Sequence, residues 1–217
     1  MLLSVAYFPP LSWFAALARD FTLSADRVIP SVVHLEACEN YQKQSWRNRC
    51  RILTANGPEN LLVPVVHEGG TFKLPITGIR IDYSEPWVTR TERAISSAYD
   101  TSPFFEHYRD DIFSILESRY ERLWDLDLAL IEYLMDKFGI AARICFTQDY
   151  SKDVPDDLRE VIHPKRKDTV LEDLGLEKPY FQVFSCKYGF QPNLSAIDLL
   201  FNEGPASISF LKSGIQK

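Results

Sequence analysis

The hydrophobic and polar positions of the chain form strand-like and helix-like patterns, and their order predicts an α/β fold. An apolar run over 2–8 ends at two prolines, which is typical of a buried strand followed by a turn. Apolar positions recur at helical spacing over 13–18, and a second strand-like run covers 28–35. This order predicts a βαβ unit with two parallel strands. Ligands of such sheets bind near the carboxyl ends of the strands, so we expect 7–10 to lie at such an end.

The middle of the chain predicts a β-hairpin followed by helices. Two apolar runs, 46–53 and 61–66, flank Asn56-Gly57, a dipeptide that favours a tight turn between strands. Turn-rich sequence then gives way to helical periodicity. The predicted helices cover 90–99, a segment that begins at Pro103, and a segment that runs from a cap at Asp125 or Asp127 to Gly139.

The last third of the chain predicts mixed α/β structure with long loops. The predicted elements are a strand over 140–146, a loop-rich stretch over 147–179 with a short helix near 156–162, a strand over 180–184, and a helix over 196–202 whose capping box is Ser195 and Asp198. No repeat or low-complexity linker divides the chain. We therefore predict one domain over 1–217, with a mostly β part with one helix at 1–82, a helical part at 90–139 and a mixed part at 140–217.

Composition and charge narrow the function classes. Apolar residues make up 46% of the chain, which excludes intrinsic disorder. With 24 Lys plus Arg against 30 Asp plus Glu, the net charge of −6 argues against a general nucleic-acid binder. The 4 Cys form no CxxC motif and favour reduced thiols. The chain shows no signal-peptide pattern and no apolar run long enough to span a bilayer, so we expect a soluble cytoplasmic protein without membrane insertion.

The strongest local charge anomaly is the segment 41–53, which carries four basic residues and no acid. If this segment is extended, Arg47, Arg49 and Arg51 share one face, and that face suits a phosphate or carboxylate ligand such as a sugar nucleotide. The alternative is that these arginines pair with nearby acids, Glu36 and Glu39 among them. The predicted anion site comprises Tyr7, Lys43, Gln44, Arg47, Asn48, Arg49 and Arg51.

Candidate catalytic groups are few. Glu36 and Glu39 could act as acid and base or hold a divalent ion, but no second acidic motif stands at a diagnostic spacing, so no metal site is predicted. His34 is interpreted as a core residue because it lies in an apolar strand. The chain has no GxSxG, P-loop or GxGxxG motif. Secondary candidates in loop-rich or helix-start positions are Asp157, Arg159, Lys165, Asn193 and Ser195.

Several stretches, which together span nearly the whole chain, resemble the WbqC-like family of bacterial proteins. These stretches are Tyr7-Phe8-Pro9-Pro10, Glu36 and Glu39 leading into Tyr41 to Cys50, Asn56-Gly57 to Val65, Ala94 to Tyr99 with Ser102 to Phe105, and Gln182 to Phe184 with Gly189-Phe190 and Pro192 to Pro205. The sequence departs from the family pattern at Thr91, because a His is expected there, shortly before the Ala94 block.

The resemblance implies a role in O-antigen or other surface-polysaccharide synthesis, through transfer of glycine or another amino acid to a sugar. In that transferase hypothesis the arginines hold the anionic ligand, Glu36 or Glu39 takes a proton from the sugar amine, and Tyr7 lines the pocket. The activated donor would be an adenylate made from ATP or a charged tRNA. The alternative hypothesis is a non-catalytic binding or scaffold protein, which the replacement of the expected His by Thr91 favours. A weaker hypothesis is RNA contact through the basic segment.

Overall fold

The computed structural model describes residues 1–22, 31–66 and 73–214, and these form an α/β fold as predicted. The strands are β1 (Leu2–Leu3), β2 (Ser31–Leu35), β3 (Arg49–Thr54), β4 (Gly57–Leu62) and β5 (Ala142–Phe146). The helices are α1 (Leu11–Thr22), α2 (Trp87–Tyr99), α3 (Phe105–Glu117), α4 (Leu123–Lys137), α5 (Val170–Asp173), α6 (Ser185–Tyr188), α7 (Ala196–Glu203) and α8 (Ser207–Lys212), with 3-10 turns at Ile76–Gly78 and Gly204–Ala206.

A parallel sheet with the strand order β1-β2-β5 confirms the predicted βαβ unit. Leu2 aligns with His34 and Ser31 aligns with Ala142. Strand β1 is shorter than predicted because the chain beyond Leu3 bonds elsewhere: the Tyr7 backbone N–H donates to the Trp46 carbonyl at 2.8 Å. This sheet places Glu36 and Thr147 directly after the carboxyl ends of β2 and β5.

The outer edge of β1 pairs with the chain near Asp156, where we predicted a helix. The Leu2 N–H donates to the Asp156 carbonyl at 3.0 Å, and the Leu158 N–H donates to the Leu2 carbonyl at 2.9 Å. Asp156 has a positive φ of 55°, which a right-handed helix does not accept. The predicted helix over 156–162 is therefore wrong, and turns occupy that stretch.

The predicted hairpin is present as β3 and β4, with a register that pairs Arg49 with Leu62 and Thr54 with Gly57. The turn is Ala55-Asn56, one residue earlier than the Asn-Gly pattern indicates. Gly57 begins β4 with a φ of 106°, a conformation that favours glycine. In β3, Cys50 and Ile52 face the core while Arg51 is exposed, so Arg49 and Arg51 share the outer face as predicted.

The three predicted middle helices are confirmed as α2, α3 and α4, and their buried faces join one hydrophobic core with the sheet and α7. Fully buried rings pack within it: Phe14 lies against Phe138, and Phe105 lies against Phe201. Helix α4 begins at Leu123, so neither predicted cap residue is at its start. Asp127 instead lies on its buried face.

The C-terminal third differs most from the prediction. Residues 180–184 form no strand, because the Tyr180 hydroxyl and the Gln182 amide turn inward and donate to the Asp198 carboxylate. The predicted capping box is wrong for the same reason: Asp198 is buried, and the Ser195 hydroxyl donates to the Phe8 carbonyl at 2.9 Å. Helix α7 ends at Glu203, and the predicted stop residue Gly204 is its C-cap. Within the described ranges, no helix has the length and apolarity needed to cross a membrane.

Candidate functional site

The carboxyl end of the parallel sheet contains a buried ion pair between Glu36 and Arg159. Glu36 is fully buried, and its Oε1 accepts hydrogen bonds from the Thr147 hydroxyl at 2.6 Å and the Cys38 backbone N–H at 2.8 Å. Its Oε2 accepts from Arg159 Nη1 at 2.6 Å. Both oxygens of this predicted catalytic acid therefore have partners.

Arg159 joins the predicted secondary candidate Asp157 to this pair. Arg159 Nη2 donates to Asp157 Oδ2 at 2.7 Å and also to the Ser151 carbonyl at 2.6 Å. The hydrogen bonds with Asp157 raise the pKa of Arg159. Burial acts to raise the pKa of Asp157, but its bonds with Arg159 outweigh burial and lower that pKa below its ordinary value. These two candidates form a network with Glu36 rather than a separate site.

Glu39 and Arg47 form a second buried ion pair. Arg47 Nε donates to Glu39 Oε1 at 2.8 Å, and Arg47 Nη2 reaches Glu39 Oε2 and the Ser4 hydroxyl. Arg47 is only 2% exposed and precedes β3 in a turn. The predicted position of Arg47 on an anion-facing stripe is therefore wrong, and the pairing alternative is confirmed for this residue.

A pocket beside the hairpin collects three other predicted residues, Lys43, Gln44 and Asn48. This hairpin pocket has a volume of about 320 Å³ and is lined by Tyr41, Lys43, Gln44, Asn48, Leu62, Val63, Pro64, Val65 and Asp82. Gln44 has a positive φ of 57° in the turn before β3. That turn brings the carbonyl of Gln44 to Arg49 Nη2, which donates to it.

Two consecutive residues, Asn48 in the lining of the hairpin pocket and Arg49 at the start of β3, each have a buried polar atom without a hydrogen-bond partner. Asn48 is 5% exposed, and its Nδ2 donates to the Val63 carbonyl at 3.0 Å while its Oδ1 has none. Arg49 Nε is also unpartnered, and burial together with the charge of Arg51 lowers the pKa of Arg49. Arg51 is exposed, with its guanidinium 5.7 Å from the centre of the Trp46 ring. Unpartnered buried polar atoms are rare in proteins, although this protein also has them away from the pocket, for example at Trp87 and Asn202.

Asp127 is a buried acid of α4 that the sequence analysis did not name as a candidate site residue. Asp127 is fully buried, and neither of its carboxyl oxygens has a hydrogen-bond partner. Burial raises the pKa of Asp127 well above its ordinary range, and the charge of Arg47 opposes that effect. The sequence holds the signal that could have found it: Asp127 stands three and four residues before Leu130 and Ile131, on the apolar stripe of α4.

Tyr7 lies in the same interior region. It is fully buried and lines neither pocket described here, so its place in a ligand pocket stays a prediction. Its hydroxyl has no hydrogen-bond partner of good geometry. Burial raises the pKa of Tyr7, the charges of Cys50 and Asp127 add to the rise, and Thr91 acts against it. Thr91, which replaces the expected His, is thus buried beside Tyr7 and not at an exposed surface.

A second pocket lies at the carboxyl end of the parallel sheet. This sheet-edge pocket has a volume of about 350 Å³ and is lined by Met1, Leu2, His34, Glu36, Thr147, Asp149, Ser151, Val154 and Pro155. His34 is exposed there, which corrects its interpretation as a core residue, because β2 presents alternate side chains to opposite faces.

The remaining secondary candidates lie outside both pockets. Asn193 Oδ1 accepts from the Ser12 backbone N–H, and its Nδ2 donates to Asp168, so it fixes the start of α1. Ser195 is buried under Phe8, and Lys165 is exposed in a loop. Across the described ranges, no three His, Cys, Asp or Glu side chains group as a metal site.

The chain belongs to the WbqC-like protein family, whose family model matches residues 6–172. The matched range includes the hairpin pocket, Asp127 and all of the sheet-edge pocket except Met1 and Leu2, but not α7 and α8. Among the curated proteins, the chain is 27% identical over 197 residues to the uncharacterized protein Rv1507c of Mycobacterium tuberculosis (strain ATCC 25618 / H37Rv), an alignment that covers 79% of this chain and 84% of that protein. No solved structure matches.

Proposed function

We propose that this protein binds a phosphate-bearing small molecule, such as a sugar nucleotide, in the hairpin pocket and transfers an aminoacyl group to an amino sugar there. The acyl group is glycyl or a related one, and the product serves O-antigen or other surface-polysaccharide synthesis. The substrate class comes from the resemblance described above. The observation that carries the proposal is the convergence of Lys43, Gln44 and Asn48 on one pocket, beside Arg49.

The chemistry of these residues suits a phosphate ligand. Lysine and arginine donate charge-assisted hydrogen bonds to phosphate oxygens, and side-chain amides add neutral donors. In a chain of net charge −6, the segment 41–53 carries four basic residues and no acid, which favours an anionic ligand beside it. Of the residues that line the pocket, Lys43 is the cation and Asp82 is the acid. The unpartnered Nε of Arg49 is a donor that such a ligand would satisfy.

The proposed transfer requires an activated amino acid, either an adenylate made from ATP or a charged tRNA, and we place it in the cytoplasm, where both donors occur. The sugar nitrogen forms a bond to the acyl carbon, the bond from that carbon to the nucleotide oxygen breaks, and the nitrogen gives its proton to a base. Glu36 and Glu39 are poor choices for that base because arginines already hold both carboxylates.

Calorimetric titration with UDP-glucose tests the binding half of the proposal. We expect Lys43→Ala and Asn48→Ala each to weaken binding by about tenfold, the equivalent of one charge-assisted hydrogen bond. Lys165→Ala is the matched control, since it removes the same charge from an exposed loop and should leave the affinity unchanged. The assignment of the pocket fails if neither pocket variant changes the affinity, or if the control changes it as much.

A specific observation also favours the non-catalytic alternative. Both predicted catalytic acids are ion-paired, and Thr91 cannot act as the base that a His would supply. Incubation of the protein with an amino sugar nucleotide and an aminoacyl adenylate separates the two functions. A mass increase of the sugar by one aminoacyl residue supports transfer, whereas tight binding without that product supports a binding protein.

Binding of tRNA is a further test. If the protein binds tRNA with an affinity that falls steeply as the salt concentration rises, the charged-tRNA donor is supported.

A further inference from the structure

The sheet-edge pocket lies where open α/β sheets bind their ligands. It opens at the carboxyl ends of the parallel strands β2 and β5, which is the place at which such sheets bind small molecules. Its volume of about 350 Å³ is near the lower end of the range of ligand pockets, about 300–1,000 Å³. A pocket of this size suits a compact ring system with a few polar substituents.

The inner part of the sheet-edge pocket is a closed hydrogen-bond network. Glu36 accepts hydrogen bonds there from the Thr147 hydroxyl and from Arg159 Nη1, both at 2.6 Å. The Thr147 oxygen in turn accepts from the Ala37 backbone N–H at 2.9 Å. Because Arg159 balances the charge of Glu36, this part of the pocket is held in one arrangement and presents no free charge to a ligand. Recognition must therefore come from the walls.

The outer wall of the pocket is the loop that follows β5, and this loop is fastened on both sides. Arg159 Nη2 donates to the Ser151 carbonyl at 2.6 Å, and the same guanidinium lies 4.8 Å from the centre of the Tyr150 ring. Farther along the loop, the Leu2 N–H donates to the Asp156 carbonyl at 3.0 Å. The pocket is therefore preformed, and a ligand can bind without first ordering the loop.

The walls combine apolar side chains with a carboxylate. The apolar residues of the lining are Met1, Leu2, Val154 and Pro155. Asp149 is exposed in the loop and forms no hydrogen bond or ion pair with the described part of the chain. None of the described residues that line the pocket is a lysine or an arginine, and the amino group of Met1 lies 3.7 Å from Asp156 Oδ2, which balances it. These walls favour an apolar ring that carries hydrogen-bond donors, and they disfavour a phosphate.

We propose that the sheet-edge pocket binds the adenosine of the activated amino-acid donor. The proposal deepens the proposed function and rests on it, because an aminoacyl adenylate and a charged tRNA both carry the acyl group on an adenosine. The adenine packs against Leu2 and Val154, and the ribose donates a charge-assisted hydrogen bond to the Asp149 carboxylate. The phosphate of the acceptor binds in the hairpin pocket, beside Lys43, so the two substrates occupy separate pockets.

The two pockets are joined through the buried ion pair of Glu39 and Arg47. Glu39 stands three positions after Glu36 of the sheet-edge pocket, and Arg47 immediately precedes Asn48 of the hairpin pocket. The bond of 2.8 Å from Arg47 Nε to Glu39 Oε1 therefore holds the two pocket-forming segments together. The Ser4 hydroxyl, just after β1, also donates to Glu39, at 3.2 Å. Donor and acceptor would thus bind at neighbouring segments, as a transfer between two substrates requires.

Calorimetric titration with adenosine and 2′,3′-dideoxyadenosine tests the inference. Only adenosine has ribose hydroxyls, so we expect it to bind about tenfold more tightly, the equivalent of one charge-assisted hydrogen bond. Asp149→Ala should remove this preference and leave the affinity for dideoxyadenosine unchanged. Asp153→Ala is the matched control, since it removes an exposed acid of the same loop that does not line the pocket, and it should keep the preference.

Two donor analogues distinguish the sources of the adenosine. Glycylsulfamoyl adenosine carries the acyl group at the 5′ position, as in an adenylate, and 3′-glycylamino-3′-deoxyadenosine carries it at the 3′ position, as in a charged tRNA. The analogue that displaces adenosine more effectively identifies the donor, and Asp149→Ala should weaken its binding. If neither analogue displaces adenosine, the inference fails.

The remaining outcomes separate the inference from the proposed function. The inference fails if adenosine does not bind, if it binds no more tightly than dideoxyadenosine, or if Asp153→Ala weakens it as much as Asp149→Ala. It also fails if Lys43→Ala weakens adenosine binding and Asp149→Ala does not, because the nucleoside then binds in the hairpin pocket. In each case, UDP-glucose binding that depends on Lys43 leaves the proposed anion site standing. If UDP-glucose also fails to bind, the proposed function fails with the inference.

Discussion

The two pockets differ in how their buried polar groups are satisfied. At the sheet-edge pocket, the carboxylate of Glu36 accepts hydrogen bonds from three groups, Arg159 among them. At the hairpin pocket, Asn48 Oδ1 has no hydrogen-bond partner, and the same is true of Nε of the next residue, Arg49, and of the buried carboxyl group of Asp127. A satisfied buried network stabilises one conformation, whereas an unsatisfied group is most readily explained by a ligand. The comparison therefore supports a structural role for the buried network of the first region and is consistent with the binding role that we propose for the second.

The largest expected effect on stability comes from breaking the buried ion pair between Arg47 and Glu39. Arg47→Met leaves the carboxylate of Glu39 buried without its cation, which should lower the free energy of unfolding by about 3–5 kcal/mol. Urea denaturation measures this. The double variant Arg47→Met with Glu39→Gln is the control, because it removes both charges and should recover most of the loss. A loss below about 1 kcal/mol for the single variant would show that this pair is not structural.

Removal of the charge of the unpaired acid, Asp127, should raise the stability of the protein instead of lowering it. Burial raises the pKa of Asp127 above its value in the unfolded chain, so its contribution to stability is fully present below about pH 4 and is lost as the pH rises. Asp127→Asn does not titrate and should therefore be more stable than the unaltered protein at pH 7. Thermal unfolding from about pH 4 to 7 measures the gap, which should shrink toward the acid end. A variant that is less stable at pH 7 would contradict the unpaired state of Asp127.

Asp198 is intermediate between the paired and the unpaired acids, because its carboxylate accepts hydrogen bonds from neutral groups instead of pairing with a cation. Burial raises its pKa to about 6, and its bonds to Tyr180, Tyr99 and Gln182 oppose the rise. Tyr180→Phe removes one donor at 2.6 Å from the carboxylate. We expect a loss of about 1.5–3 kcal/mol above pH 7, where the carboxylate is ionised, and about 1 kcal/mol near pH 4, where it is protonated. Chemical denaturation at the two pH values checks this, and an equal loss at both would contradict it.

The smallest effect is expected at an exposed arginine of the hairpin. Arg51 contacts the Trp46 ring from the outer face of β3 and has no buried acid to satisfy. Arg51→Ala should change the free energy of unfolding by only about 0.5 kcal/mol. Urea denaturation alongside Arg47→Met measures both on one scale. If Arg51→Ala destabilised the protein as much as Arg47→Met, burial would not explain the different contributions of these two arginines to stability.

The elements that follow from local sequence were predictable, and the contacts between distant segments were not. The βαβ unit, the hairpin and helices α2 to α4 each depend on periodicity and turn residues within a short stretch. The pairing of Glu36 with Arg159 joins residues 123 positions apart, and the bond from Tyr99 to Asp198 spans 99. No local pattern encodes such a contact, so acids interpreted as caps or bases proved to be core groups.

Part of the site was also predictable. The basic composition of 41–53 identified Lys43, Gln44 and Asn48, which the structure brings to one pocket. The extended-strand assumption failed at Arg47, because a turn precedes β3 and rotates that side chain inward to Glu39. Asp127 was missed because an acid near the start of a predicted helix was interpreted as its cap. Its position on the apolar stripe of α4 was the better guide.

The most direct test of the account is to map where an amino-sugar phosphate binds. Amide chemical shifts of the isotope-labelled protein, followed during titration with glucosamine 1-phosphate, report the site residue by residue. The account predicts the largest shifts at 41–48, at 62–65 and at Asp82, which together contain the residues that line the hairpin pocket. Shifts concentrated at 34–36 and 147–155, around the sheet-edge pocket, would contradict it.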